Sequence, residues 1–416
     1  MFRDFRKRCA EKTNVYVVIW CAAVIAILAL LGYLLSSTYR FQNVDTQQSS
    51  SPDWLLTQDA VSLDAIFANF GSAGAKAYGA AEGVLLDSAL PGPRDCRSSP
   101  FGSWKELVRL ANTPSDLWTR VRDSNLVFKT LVDRFVATKD QKLQHALNSY
   151  VLAQASMQQV KSPSGGLNDG TGLSEPRFLP NITADPDNYG RPKRDGPALR
   201  AIVLMTYGRW LLDNGHREET RNVIWPVVRN DLNYVIEFWH QPGIDFWSTG
   251  REPYVVDSFF MRAVHHQALV KGAAFAKTVG DDCPACESQA PQLLCTMQDF
   301  QKISEKDGFI AADLSNGTIR QRNGRDISTV LASIFSFDPE AGCNEETFQP
   351  CSQAMLRNHK ELVDSFRGWT INDGISVSRA VAVGRYPDET DSRYQWKEEG
   401  MIFFTSSLEV SATDYD

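Results

Sequence analysis

The chain has 416 residues, 43% of them hydrophobic and 22% charged, an ordinary globular composition sufficient for one large domain or two smaller ones. Its formal net charge is -7, so no basic excess points to nucleic acid. The ten Trp, twelve Tyr and 22 Phe can build a core, and they also supply the flat apolar rings on which sugars stack.

The N-terminal stretch stands apart. Val15 to Leu35 is an uncharged apolar run long enough to cross a bilayer as a helix. Arg3, Arg6, Lys7, Arg8 and Lys12 precede it against only Asp4 and Glu11. That bias predicts residues 1–14 as a cytosolic tail, 15–35 as the signal anchor of a single-pass type II membrane protein, and the rest as extracellular or lumenal. Cleavage to a secreted protein is the alternative, but a signal peptide's apolar region is usually ~7–15 residues, and Tyr33, Leu34 and Leu35 make a poor small-residue site.

Cysteine usage agrees. Beyond Cys9 and Cys21 lie Cys96, Cys283, Cys286, Cys295, Cys343 and Cys351, and outside the cytosol close pairs are expected as disulfides. Cys283-Pro-Ala-Cys286 could also be half a zinc site, but no second pair or spaced histidines complete it, so no metal or other cofactor is expected. Asn181-Ile-Thr and Asn316-Gly-Thr are glycosylation sequons.

Residues 36–53 read as a polar, Ser-rich tether. A first helix is predicted over Trp54–Phe70, then a loose Gly- and Ala-rich segment, then an irregular stretch from Ala89 to Trp118 holding a short helix, Trp104–Leu110. Ser124 is placed to cap a helix running to Phe135, and Leu143–Val160 follows. A polar loop extends from Ser162 to Asp195, long enough to suggest function. Helices are then expected over Pro197–Asp213, Glu218–Trp239 with a break at Pro226, Ser258–Val279, Pro291–Phe300, Ile327–Phe337 and Gln353–Phe366, with a loop over Gln241–Asp257. No strands alternate with these helices, which disfavours βαβ folds. Paired amphipathic helices with long loops between alternate pairs predict an all-α toroid or bundle.

The long loop ends in Asn188-Tyr189-Gly190-Arg191-Pro192-Lys193-Arg194-Asp195-Gly196-Pro197. An aromatic ring beside planar donors and a carboxylate suits a polyhydroxylated ligand such as a sugar. A salt-bridged helix start accounts for the same residues more simply.

The motifs decide between them. Tyr189 to Arg200 resembles the WGRPQRDGPALRA loop of fungal glucoamylases, glycoside hydrolase family 15. Arg122-Asp123-Ser124 with Leu126-Val127 is similar to that family's TRDSGLVLKTLVD segment. Ser162-Pro163-Ser164-Gly165 and Gly172-Leu173-Ser174-Glu175-Pro176 resemble its NPSG and GLGEPKF loops. Trp210 to Gly215 resembles WLLDNG, Val228 to Leu232 VRNDL, and Gly384-Arg385-Tyr386-Pro387 GRYPED.

The resemblance implies an (α/α)6 toroid or barrel over residues 54–389, preceded by the single transmembrane helix. It also implies inverting release of glucose from the non-reducing ends of α-1,4-glucans such as starch, glycogen or maltooligosaccharides. One carboxylic acid protonates the leaving oxygen, and a carboxylate activates water on the opposite face. The family's acid lies in a D-x-W-E-E motif. Here Asp245 and Trp247 match, but Ser248 and Thr249 stand at the two Glu positions. Reading Ser248–Arg251 as an insertion brings Glu252 to the acid's place, with Asp245 in support.

For sugar binding, the resemblance implies Arg122 and Asp123 as the pair that grips the terminal glucose hydroxyls. The plainer reading of these two is a buried ion pair. Tyr189 stands where the family has a stacking Trp, Arg191 follows it, and Arg385 matches the GRYP arginine. Trp247 completes the expected substrate contacts. The aromatic two residues before Arg122 is replaced by Arg120. Cys283–Cys286 and Cys343–Cys351 match bridged family pairs, whereas the partner of Cys295 has no counterpart. Residues 390–416 read as a divergent tail, the toroid as C-terminally incomplete, and the family's base as unmatched. The alternative function is therefore a catalytically inactive, vestigial or sugar-binding relative.

Overall fold

The computed structural model describes residues 53–77, 79–87, 118–187, 190–244, 255–302, 308–315, 318–319, 324–377 and 379–387. The chain divides into two units, Met1–Asp64 and Ala65–Asp416. Among the described residues no helix is long and apolar enough to cross a membrane. The predicted anchor at 15–35, the 36–52 tether, Cys96, the Trp104–Leu110 helix, the Asn316 sequon and the 390–416 tail lie outside the described residues.

Helix α1, Asp53–Ala68, opens the described chain. Inner helices alternate with outer ones from there: α2 (Val121–Thr138) and α3 (Gln141–Gln159), α4 (Asp195–Asp213) and α5, α6 (Phe259–Val279) and α7 (Pro284–Lys302), α8 (Ser328–Phe335) and α9 (Gln353–Ser365). Rod α5 is continuous through Arg217–Glu219, a π turn at Thr220–Ile224, and Trp225–Phe238. Each inner helix packs on the next, α2 on α4, α4 on α6 and α6 on α8, while outer helices back them. These described residues therefore make an arc of inner–outer pairs in the manner of an (α/α) toroid. The mostly helical expectation holds at this level.

The pattern of burial explains the layers. On α2 the buried face repeats as Asn125, Phe128, Leu131, Val132 and Phe135, a helical stripe. Helix α4 is buried nearly all round, from Ala198 through Tyr207, because it has neighbours on several sides. Close approach is bought with glycine. A Cβ on Gly208 would stand 2.7 Å from Phe275 of α6, and one on Gly272 would stand 2.7 Å from Leu232 of α5. Some apolar side chains on inner helices stay exposed, including Val136, Val270 and Ile334.

Several element boundaries differ from expectation. Helix α2 starts at Val121, with Arg120 as its cap residue, so Ser124 is interior and buried, its Oγ 3.2 Å from the Thr119 hydroxyl. The α3 cap is Asp140, whose Oδ1 accepts from Lys142 N–H at 2.7 Å and Leu143 N–H at 3.2 Å. At the break expected near Pro226 the rod passes from the π turn Thr220–Ile224 into a new α segment from Trp225, with Pro226 in its first turn. Short strands also form where loops were expected. Thr119–Arg120 (β1) pairs with Arg177–Phe178 (β2), and Gly243–Ile244 (β3), Val255–Ser258 (β4), Asp313–Ser315 (β5) and Thr318–Ile319 (β6) make an antiparallel sheet. Each is too short to show a period in the sequence.

Cys283–Cys286 and Cys343–Cys351 are disulfides, which removes the first pair as zinc thiolates. Cys295 is exposed and unbridged. Asn181, the acceptor of the described sequon, is exposed on its loop.

A fully buried ion pair ties three helices together. Arg200 of α4 forks onto Asp231 of α5, Nε to Oδ2 at 2.8 Å and Nη2 to Oδ1 at 2.6 Å. Gln158 of α3 donates to the same Asp231 carboxylate at 3.0 Å and to Val227 O at 3.1 Å. Removing one partner strands a buried charge. Asp231→Ala is expected to cost about 3–5 kcal/mol in urea unfolding, whereas Arg200→Met with Asp231→Leu recovers most of that loss. A double variant no more stable than the single one would show that the pair has a role apolar packing cannot replace.

Candidate active site

Backbone contacts bring the motif segments together at the N-terminal ends of α2 and α4. The β1–β2 register sets Arg120 opposite Arg177. Val121 N–H donates to Pro176 O at 2.9 Å, Lys193 N–H to Ser174 O at 3.1 Å, and Ile244 N–H to Pro192 O at 3.4 Å. Segments 118–123, 174–178, 190–195 and 243–244 therefore converge.

Arg122 lies in the first turn of α2, and Asp195 is the first residue of α4. The Arg122 guanidinium forks onto the Asp195 carboxylate, Nε to Oδ2 and Nη2 to Oδ1, the latter at 3.1 Å. Both side chains are almost wholly enclosed. The fork of Arg122 is thus on Asp195. Consecutive helical residues diverge by about 100°, so Arg122 and its neighbour Asp123 leave the helix in different directions.

Asp123 is free to face elsewhere. Its carboxylate lies 3.8 Å from Arg120 Nη1, and its side chain keeps 37% of its surface accessible. Burial nonetheless pushes its carboxyl above the ordinary range, against the pull of the Arg122 and Arg120 cations.

Arg191 is engaged by carboxylates. Its Nε is 2.9 Å from both oxygens of Glu175, and its Nη2 is 2.7 Å from Glu175 Oε1. Nη2 also donates to Asp185 O at 3.2 Å, and Arg177 pairs with the Asp185 carboxylate. Ser164 Oγ donates to Glu175 at 3.0 Å. The structure therefore places Arg191 in a buried brace that fixes the loop into α4.

Arg385, from a loop, pairs with a carboxylate just before another inner helix, α8. Its Nε donates to Asp326 Oδ2 at 2.8 Å, and its carbonyl accepts from Ile327 N–H at 3.1 Å. Asp326 Oδ1 accepts Ser328 N–H at 2.8 Å at the start of α8. The Arg385 guanidinium lies 4.4 Å from the Tyr386 ring centroid.

Tyr189, Asp245, Trp247 and Glu252 lie outside the described residues. The feet of the segment that carries the last three are in place. Ile244 pairs with Val255 and Gly243 with Val256, so residues 245–254 connect two antiparallel strands. Asp195, Ile244, Val256, Ser258 and Met261 line a small cavity at that base. His265 supports the same corner from α6: its Nε2–H donates to Arg194 O at 2.8 Å, one residue before Asp195.

The partners Asp195, Glu175 and Asp326 were not assigned from the sequence. Asp195 and Glu175 stood inside quoted motifs, and their proximity to an arginine was the available signal. Asp326 offered none, since it is remote in sequence from Arg385 and outside every motif. Among the described residues, no cluster of His, Cys, Asp or Glu is arranged to hold a metal.

The pattern of glycosyl hydrolases family 15 matches residues 60–414. The chain belongs to that family. It is 39% identical over 402 residues to a glucoamylase of Neurospora crassa, covering 92% of this chain and 59% of the relative. It is 37% identical over 369 residues to glucoamylase-1 of Arthroderma benhamiae, covering 84% and 55%. The family 15 glucoamylase structure from Hypocrea jecorina superposes with a TM-score of 0.69 at 41% identity, covering 80% of this chain and 51% of that one. The chain thus spans a little over half the length of these curated relatives.

Buried histidines give this family 15 chain a pH signature. Desolvation lowers both His265 and His266 from the usual 6.5 to about 4. The unfolded chain then binds protons that the folded one refuses, so stability falls as pH drops from 6.5 toward 4. The loss approaches about 3 kcal/mol per histidine. The urea midpoint should track this window, and His265→Gln should flatten its slope there. An unchanged slope would mean that His265 titrates normally in the folded state.

Proposed function

We propose that this chain binds the non-reducing terminal glucose of α-1,4-glucans or maltooligosaccharides and hydrolyses the adjoining bond with inversion. The observation that carries the reading is the accessible Asp123 carboxylate, with Arg122 locked beside it by Asp195. A held guanidinium and an accessible carboxylate offer fixed donors and acceptors to vicinal hydroxyls. Both ends of segment 245–254 are paired at Ile244 and Val255, and Ile244 is bonded to Pro192 of the adjoining loop. That anchoring supports Glu252 as the acid, Asp245 as its support and Trp247 as a sugar contact.

In this reading Glu252 is protonated and gives its proton to the leaving oxygen, while water adds to the anomeric carbon from the opposite face and yields its proton to a carboxylate base. Tyr189 stacks on the sugar ring, Arg191 holds its loop, and Arg385 contributes a further donor. The domain spans residues 54–389, and residues 15–35 anchor it with its site outside the cytosol.

A second reading, sugar binding without hydrolysis, is favoured by one observation: Ser248 and Thr249 occupy the family's two Glu positions. Neither side chain can donate a proton as an acid near neutral pH.

Anomer-resolved NMR of maltoheptaose digestion separates the two. Hydrolysis predicts β-glucose first, with kcat lowered about 100-fold or more in Glu252→Gln. In Arg122→Lys the fork is lost and KM is expected to rise about tenfold with little change in kcat. Binding with no glucose released supports the second reading, and full activity in Glu252→Gln removes Glu252 from the role.

A further inference from the structure

Arg120 occupies a position in the wall of this site that the motif it belongs to fills with an aromatic residue. Asp87 and Trp118 flank its side chain. Its Nη1 lies 3.3 Å from Asp87 Oδ2, and its own backbone N–H donates to Asp87 Oδ1 at 3.3 Å. Its guanidinium carbon is 5.6 Å from the centroid of the Trp118 ring, and Asp87 N–H donates to Trp118 O at 3.1 Å. So anchored, the same Nη1 reaches Asp123 Oδ2 at 3.8 Å, one helical turn on.

Asp123 needs such a neighbour. To accept hydrogen bonds from sugar hydroxyls with both oxygens it must be ionised, and its desolvated position works against that. The charged groups that face it are Arg122, Arg120, Lys193 and the like-charged Asp195. Arg122, already forked onto Asp195, exerts the strongest pull on it, and Arg120, from the start of α2, comes next, ahead of Lys193 from the loop into α4.

We propose that Arg120, bridging Asp87 and Asp123, is a positioning residue that keeps Asp123 ionised and aimed into the sugar site. It replaces the stacking surface of an aromatic side chain with a charge. This rests on the glucose-site reading above. Its consequence is specific to this chain: the cation beside the carboxylate that grips the sugar extends glucan binding to lower pH than burial alone would allow.

The test is maltotriose affinity by calorimetry across pH 4.5 to 8, with the full chain and with Arg120→Gln, Arg120→Met and Arg120→Lys. Without the cation Asp123 titrates higher. Arg120→Gln and Arg120→Met should therefore bind about tenfold more weakly at pH 5, the size of a one-unit shift, and approach the parent at pH 8. Arg120→Lys, which keeps the charge and loses only the planar fork, should keep the parent's pH dependence. A loss of equal size at every pH would overturn the proposal, since it would mark Arg120 as a wall residue only. The carboxyl carbon of Asp123, assigned by its disappearance in Asp123→Asn, is also titrated by NMR without sugar. An upward move in Arg120→Gln or Arg120→Met supports the proposal even if maltotriose fails to bind the parent, a result that would count against the glucose reading alone. An unmoved Asp123 titration overturns it.

Discussion

The enclosed fork of Arg122 on Asp195 governs how the rest of the site is assembled. Taking both charges out of water is costly, so each must find the other, and only one juxtaposition of α2 and α4 permits it. The carboxylate occupies the first turn of α4, where the helix dipole favours negative charge. Asp326 and Arg385 repeat the device at the start of α8. Carboxylates at the leading ends of inner helices thus orient arginines brought in from other parts of the chain.

Everything that hangs from those ends inherits their placement. The loop into α4 is braced by Arg191 on Glu175 and by Arg177 on Asp185, and its Pro192 carbonyl takes the N–H of Ile244 at the foot of the β3–β4 connection. Beneath lie the buried Arg200–Asp231 pair and the glycine contacts that let α4, α5 and α6 approach closely. Precision in the loops is therefore set from below by helices whose mutual spacing leaves little slack. Asp123 is the exception that this order makes useful. It is the carboxylate beside the Arg122 fork that keeps an accessible side chain, which suits a ligand more than a structural partner.

Comparing elements with their sequence signals shows where local reading works. Helix α9 was legible to within a few residues because burial of one face repeats with the helical turn, and α6 because Gly280 stops it as a left-handed cap. Starts were less legible. Ser124 has the chemistry of a cap but lies inside α2, because β1 delivers the chain to Val121 already helical and the hydroxyl is used by Thr119. The strands were invisible, since two to four residues carry no period and their pairing partners are far along the chain.

The sequence by itself determined the helical class and the family, because long ordered motifs and apolar periodicity are local properties. It also determined both short-range disulfide pairs, whose cysteines match bridged positions of that family. Only the tertiary structure decided which carboxylate each arginine owns: Asp195 for Arg122, Glu175 for Arg191 and Asp326 for Arg385. The reason is that a buried charge selects its partner by proximity in the folded interior, where the chain brings together groups separated by as many as 73 positions.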